Sequence, residues 1–278
     1  MARQRRIFVA FLVLACIGGL TAQSGPDRDT TWNAFIAWWK TVPVFASPFE
    51  YAAKLKLDGK TEAEVSADLA LITNLLGERS DWIAIFFDKV FARPLTGDPA
   101  KDGFSVQSSA LLVDSIKGLK PGTALDAGVG QGRNAVYLAQ QGWVVTGFDI
   151  SGEALAVTTA DAEKAGVHVT TVKASYDTFD YGSDRWDLIV LAFAWAPVTD
   201  PAFVARLRTS LRPGGRVLFE HFVHASDRPR PNFIRPLKPD QLRSCFSEFE
   251  FAFYEETEGL GAWGGPGSRL ARMVAVKR

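Results

Sequence analysis

The hydrophobic positions of the chain change period near its middle. Val65, Leu69, Ile72, Leu75 and Leu76 recur at helical spacing behind Thr61-Glu62-Ala63-Glu64, a capping box whose hydroxyl and carboxylate satisfy free N–H groups at a helix start. Gly77 predicts the end of that helix. Segment 80–91 carries Trp82, Ile83, Ile85, Phe86, Phe87, Val90 and Phe91, an almost continuous apolar surface that predicts a covered helix. Trp32, Phe35, Trp38 and Trp39 open an earlier helical stretch, so a helical extension is expected over 29–96, with a turn at 43–48. The run Pro94-Leu95-Thr96-Gly97-Asp98-Pro99 predicts a loop, and a domain boundary fits at 93–103.

From 105 onward short apolar runs alternate with amphipathic segments. The pattern predicts helices over 105–117, 134–142, 152–164 (capped by Ser151), 201–211 and 239–246, and strands over 123–127, 143–149, 167–172, 186–192, 216–222, 249–255 and 270–276. Residues 186–192 are apolar nearly throughout, as a central parallel strand covered on both faces must be. The expected fold is α/β, a doubly wound and mostly parallel sheet preceded by the helical extension.

The strand at 123–127 runs into three alternate glycines, Gly128, Gly130 and Gly132, and then a helix start. Such a turn lets a ligand approach the main chain closely. Counted from Gly128, a dinucleotide fingerprint would need glycine where Arg133 stands; counted from Gly130, Ala135 meets its looser form, so a dinucleotide stays open. The next strand ends in Asp149, and a carboxylate there can accept both hydroxyls of a ribose.

The fuller pattern Asp126-x-Gly128-x-Gly130-x-Gly132 resembles motif I of the class I S-adenosylmethionine (SAM) dependent methyltransferases. The run Gly130-Gln131-Gly132-Arg133-Asn134, followed by Tyr137-Leu138-Ala139, resembles the tellurite-resistance and related small-molecule methyltransferases, and the resemblance covers residues 105–278. It implies a seven-stranded Rossmann-like sheet ending in an antiparallel hairpin, with SAM as cofactor. Asp126 would lie near the ammonium group of SAM and Asp149 at its ribose. Gly128, Gly130, Gly132, Asn134 and Ile150 would complete the cofactor site, with Ser175 or Asp177 at the adenine amino group. Gly130 would be where the backbone passes nearest the ligand, and if Ala is conformationally tolerated there its substitution is expected to alter stability by no more than about 1 kcal/mol in either direction. Trp195 and His221 are candidates for the wall of a small-molecule acceptor pocket, and ordinary packing is the alternative for each. Trp82, Phe86 and Phe87 are candidates for a lid. His221 and His224 follow Glu220 on a strand and would face opposite sides, so no metal site is expected. Arg228, Arg230 and Arg235 lie in a proline-rich loop suited to an anionic acceptor or simply to solvent.

Charge and cysteine content narrow the classes further. Lys plus Arg and Asp plus Glu number 31 each, so no overall attraction to nucleic acid is expected. The 2 cysteines are Cys16 and Cys245, and Cys16 lies in an N-terminal apolar run, which excludes a disulfide framework. Arg3, Arg5 and Arg6 precede that run, 7–20, which is short against the roughly 20 residues of a membrane span. Residues 1–22 are expected to be a signal peptide or membrane anchor that places the rest on the periplasmic side; a cytoplasmic protein is the alternative. Three functions stand open: methyl transfer from SAM to a small acceptor, a non-catalytic binding protein of the same fold outside the cytoplasm, and a dinucleotide-dependent oxidoreductase.

Overall fold

The structure, a computed structural model, describes residues 27–43, 48–94, 96–98, 102, 104–223, 237–238, 240–259 and 268–278. The chain divides into two compact units, 1–82 with 228–234, and 83–227 with 235–278. Residues 1–22, His224, Arg228, Arg230 and Arg235 lie outside the described residues. Among the described residues no helix is long and apolar enough to cross a membrane.

The first unit contains α1 (Arg28–Thr41), α2 (Pro48–Leu57) and α3 (Glu62–Glu78). The capping box forms as expected: Thr61 N donates to Glu64 Oε2 at 2.8 Å and Glu64 N to Thr61 Oγ1 at 3.4 Å. The tryptophans form an aromatic core, with Trp39 and Trp82 ring centroids 4.8 Å apart and Trp38 and Tyr51 4.7 Å apart. Trp82 is thus a core residue of this unit. Within the same unit the buried carboxylate of Asp68 pairs with Lys60.

The second unit is the doubly wound sheet. Its strands are β1 (Thr123–Ala127), β2 (Val144–Asp149), β3 (Val169–Lys173), β4 (Trp186–Ala192), β5 (Leu211–Phe222), β6 (Glu250–Gly259) and β7 (Ser268–Val276), in spatial order β3-β2-β1-β4-β5-β7-β6. The first five are parallel, and β7 runs antiparallel between β5 and β6. Alternate residues of β1 and β4 serve opposite faces, which is why both read as largely apolar runs. Leu125, Ile189 and Leu191 meet Phe203 and Leu207 of α8 (Pro201–Ser210) and Leu242 of α9 (Gln241–Cys245). Ala124, Leu188 and Val190 meet Leu112 of α5 (Ala110–Ser115), Leu138 of α6 (Arg133–Gln140) and Leu155 of α7 (Gly152–Lys164). Helix α4 (Ser80–Phe91) has the bounds the sequence predicts, and the division between the units falls inside it.

Two elements differ from expectation. The helix expected over 105–117 is only α5, because side chains near the glycine turn claim the backbone before it: Gln131 Nε2 donates to Ser105 O at 3.0 Å and Arg133 Nη1 to Gln107 O at 2.8 Å. Strand β5 begins at Leu211, ahead of the strand expected over 216–222. Trp186 pairs with Leu211 and the next pair is Leu188 with Arg216, so Arg-Pro-Gly-Gly is an irregularity inside the strand, with Gly214 at φ +77°.

Candidate functional site

Strand β1 lies between β2 and β4, so the winding of the sheet reverses there, and in such sheets the ligand crevice lies at the carboxyl ends of the strands at that point, here β1 and β4. The turn from β1 to α6 borders it. Gly128 N and Val129 N both donate to Phe148 O at 2.9 Å, and Gly128, Gly130 and Gly132 take φ of +76°, +55° and +80°. A side chain at any of these positions would be strained, which accounts for all three glycines.

Two carboxylates flank the turn. Asp149, at the end of β2, accepts from Gly130 N at 2.9 Å through Oδ2 and from Ser151 N at 2.9 Å through Oδ1. Its burial raises its pKa against the pull of the Ser151, Gly130 and Ile150 amides, and Asp88 adds to the rise. Asp126 in β1 is 3% exposed, and burial pushes its pKa up to about 7 against the Arg133 charge and the Ala135 amide, with Asp149 adding to the rise. Its Oδ2 has no hydrogen-bond partner among the described residues. Buried carboxylate oxygens in this state favour a ligand that brings donors, either hydroxyls or an ammonium. The residues therefore fit SAM.

On the far side of the crevice the chain leaves β4 through Phe193 and Trp195, both in the left-handed region, at φ +57° and +53°. Bulky residues there store on the order of 1–3 kcal/mol each, a pattern that clusters at functional sites. Phe193 N donates to Glu220 O at 2.8 Å, and the ring centroids of Trp195 and His221 are 4.4 Å apart. His221 Nδ1 accepts from Phe222 N at 2.7 Å, which leaves the proton of the neutral ring on Nε2. The structure thus brings the two acceptor-pocket candidates together.

Other candidates are held differently. Asn134 is buried and its Oδ1 accepts from Ser109 N at 2.9 Å, fastening the start of α5 to the start of α6. Ile150 follows Asp149 directly. Ser175 stays near the end of β2, because Ala174 N donates to Asp149 O at 3.0 Å. Asp177 is turned outward on an exposed turn, 3.5 Å from Arg206 Nη2. Of the two adenine candidates, only Ser175 remains beside the crevice.

Three residues beside this site went unassigned in the sequence. Tyr176 lies in a segment singled out for its acid, and its hydroxyl donates to Ala194 O at 2.5 Å and approaches Ala127 O at 3.3 Å. Phe91, at the end of α4, has Cζ 3.2 Å from where a Cβ on Gly130 would stand. Asp88 Oδ1 accepts from Ser151 Oγ at 2.7 Å and Glu153 N at 3.2 Å, tying α4 to the start of α7. Helical position alone carries no signal for Asp88 or Phe91.

Comparison with known proteins gives this geometry a family. Residues 124–215 match the family model described as a methyltransferase domain. TehB of Haemophilus influenzae, named a probable S-adenosyl-L-methionine-dependent methyltransferase, is 26% identical over 176 residues, covering 60% of this chain and 61% of TehB. The chain therefore spans about three fifths of the length of that curated relative. The TehB crystal structure aligns with a TM-score of 0.50 at 25% identity, over 60% of this chain and 61% of the other. The [4+2]-cyclase SpnF aligns with a TM-score of 0.57 at 16% identity, over 71% of this chain and 96% of the other, a likeness of fold alone. The glycine turn and both carboxylates fall inside the matched region, so residues 124–215 match a methyltransferase domain, and the chain is similar to TehB over about three fifths of its length.

Proposed function

We propose that the chain transfers a methyl group from SAM to a small-molecule acceptor. The observation that carries this is the pair of buried carboxylates, Asp126 and Asp149, on adjacent strands beside the glycine turn, the first with an oxygen lacking a partner. Asp149 receives ribose hydroxyls, and Asp126 stands toward the ammonium end. The three glycines keep the backbone bare where the ligand lies against it. Bound there, SAM supplies an electrophilic methyl on a sulfonium. The protein's part is to hold the acceptor in line and to exclude water. Trp195 and Phe193 give the acceptor side an apolar wall, with the His221 ring beside it, suited to a lone-pair nucleophile such as a thiol or a chalcogen or metalloid anion.

Residues 1–22 deliver this domain to or across the membrane in our reading, supported by the basic start and the apolar run 7–20. A reporter active only in the oxidising compartment, fused after residue 30, tests this part: silence there with activity of a cytoplasmic reporter would overturn it.

The cofactor reading is tested by melting curves with SAM, S-adenosylhomocysteine or NAD. A ligand of the native state at 100 times its Kd stabilises by about 2.7 kcal/mol. SAM and its demethylated product should raise the melting temperature while NAD leaves it unchanged. A rise with NAD alone would turn the site into that of an oxidoreductase.

A further inference from the structure

The crevice between the ends of β1 and β4 is filled from within. Ala127 O ends β1 and Ala194 O lies two residues beyond β4, and the Tyr176 hydroxyl reaches both, donating at 2.5 Å to Ala194 O and lying 3.3 Å from Ala127 O. Burial keeps this phenol protonated, with its pKa raised well above the usual value, so it stands as a donor at physiological pH. Its ring is wedged edge-on between Phe148 and Phe203, with centroids 5.5 and 5.6 Å away. The bare face of Gly128 is covered by it: a Cβ there would lie 2.7 Å from the Tyr176 hydroxyl. Phe91 covers Gly130 in the same way at 3.2 Å, at the end of a helix latched through Asp88 to Ser151. The two glycines that the proposed cofactor needs open therefore face aromatic side chains of the protein itself.

We propose that Tyr176, aided by Phe91, is a built-in gate on the cofactor crevice, its hydroxyl standing in for a ligand donor until the 175–178 turn swings out. The inference rests on the SAM reading of the same crevice. The outer residues of the turn are lightly held. Asp177 and Thr178 are exposed, and the ion pair of Asp177 with Arg206 joins two solvated side chains at 3.5 Å, a pair of small worth. Outward rotation gives up two aromatic contacts, the strong hydrogen bond to Ala194 O and two longer ones, Tyr176 hydroxyl to Ala127 O and Tyr181 hydroxyl to Tyr176 O, both at 3.3 Å, and it also releases the Ala194 carbonyl between Phe193 and Trp195. Opening for the cofactor then loosens the acceptor wall at the same time, so the two halves of the site are coupled.

A gate and a wall differ in sign. A side chain that lines a bound ligand weakens binding when removed, whereas one that occupies the ligand's place lowers apparent affinity by the fraction of open molecules, and its removal tightens binding. Titration calorimetry of the full chain with S-adenosylhomocysteine should show Tyr176→Ala binding about tenfold tighter than wild type, with Phe91→Ala tighter by a smaller factor. Equal or weaker binding by both variants would overturn the gate and leave the SAM reading standing. Binding by neither the wild type nor the variants would overturn both. Should Tyr176→Ala fail to fold, stopped-flow binding to the wild type decides: the observed rate should level off with ligand concentration at the opening rate, and a linear rise would overturn the gate.

Discussion

The Asp149 carboxylate accepts the N–H of Gly130 at 2.9 Å, so the acid that ends β2 also holds the turn that follows β1. One side chain thereby sets the backbone against which a ligand would lie and offers lone pairs to that ligand. Asp149→Ala should remove the thermal shift given by S-adenosylhomocysteine. It should also lower stability by about 1–3 kcal/mol, since the amides of Gly130 and Ser151 lose a buried acceptor. Urea denaturation with and without ligand separates the two effects, and an intact thermal shift would place the ribose elsewhere.

The three glycines of the turn should fail in a definite order. The bound of about 1 kcal/mol for Gly130→Ala holds only if Ala is conformationally tolerated there, and the φ of +55° does not meet that condition, adding left-handed strain of roughly 1–2 kcal/mol. A Cβ at Gly130 meets only the Phe91 ring, at 3.2 Å, whereas at Gly128 it meets Ala194 Cβ at 2.7 Å and at Gly132 Thr158 Cγ2 at 2.7 Å. Gly130→Ala should therefore be the mildest in stability, and Gly128→Ala and Gly132→Ala should cost more. Melting temperatures that put Gly130→Ala last would contradict the packing of this turn.

Asp126 makes the fold sensitive to pH in an unusual direction. Burial raises its pKa to about 7 from the ordinary 3.8, so across that window the native state holds a proton that the unfolded chain has released. Stability from this group is greatest at the acid end and falls as pH rises toward 7, at up to about 1.4 kcal/mol per pH unit. Asp149, also raised by burial, adds in the same sense. Asp126→Asn cannot ionise, so its stability relative to wild type should improve between pH 4 and 7. Urea midpoints that move in parallel for the two proteins would rule this out.

Much of this could be seen before the structure, for reasons that lie in particular residues. The run 186–192 reads as a strand because both its faces are buried, and Gly128, Gly130, Gly132 and Asp149 announce a turn and an acid through backbone needs that few other residues meet. The loop after β4 offers no such sign, since Phe193 and Trp195 are poor residues for the left-handed backbone they adopt, and tertiary contacts impose it. The shortened helix at α5 follows likewise from distant side chains, Gln131 and Arg133, that take the carbonyls before it. Tyr176 escaped notice because an aromatic beside a strand end reads equally as core.

In the helical unit the capping box gives a clean test of local sequence against stability. Thr61→Ala leaves Glu64 N without its acceptor and should lower the stability of this unit by about 1 kcal/mol. Thr61→Ser should restore most of it. Circular dichroism melts of the full chain read both, and equal losses in the two variants would assign the effect to packing of the Thr61 methyl.

Strand β7 enters the sheet between β5 and β6, although β6 precedes it in the chain. A nascent chain leaving the ribosome therefore presents the outer edge of β5 unpaired, with β6 waiting one strand's width away, until Ser268–Val276 has been synthesised. Residues 216–222, whose partners are 270–276, stay a sticky edge of the polypeptide through that stage of translation. A stalled or truncated product ending before 268 would be prone to pair with its neighbours on the same message.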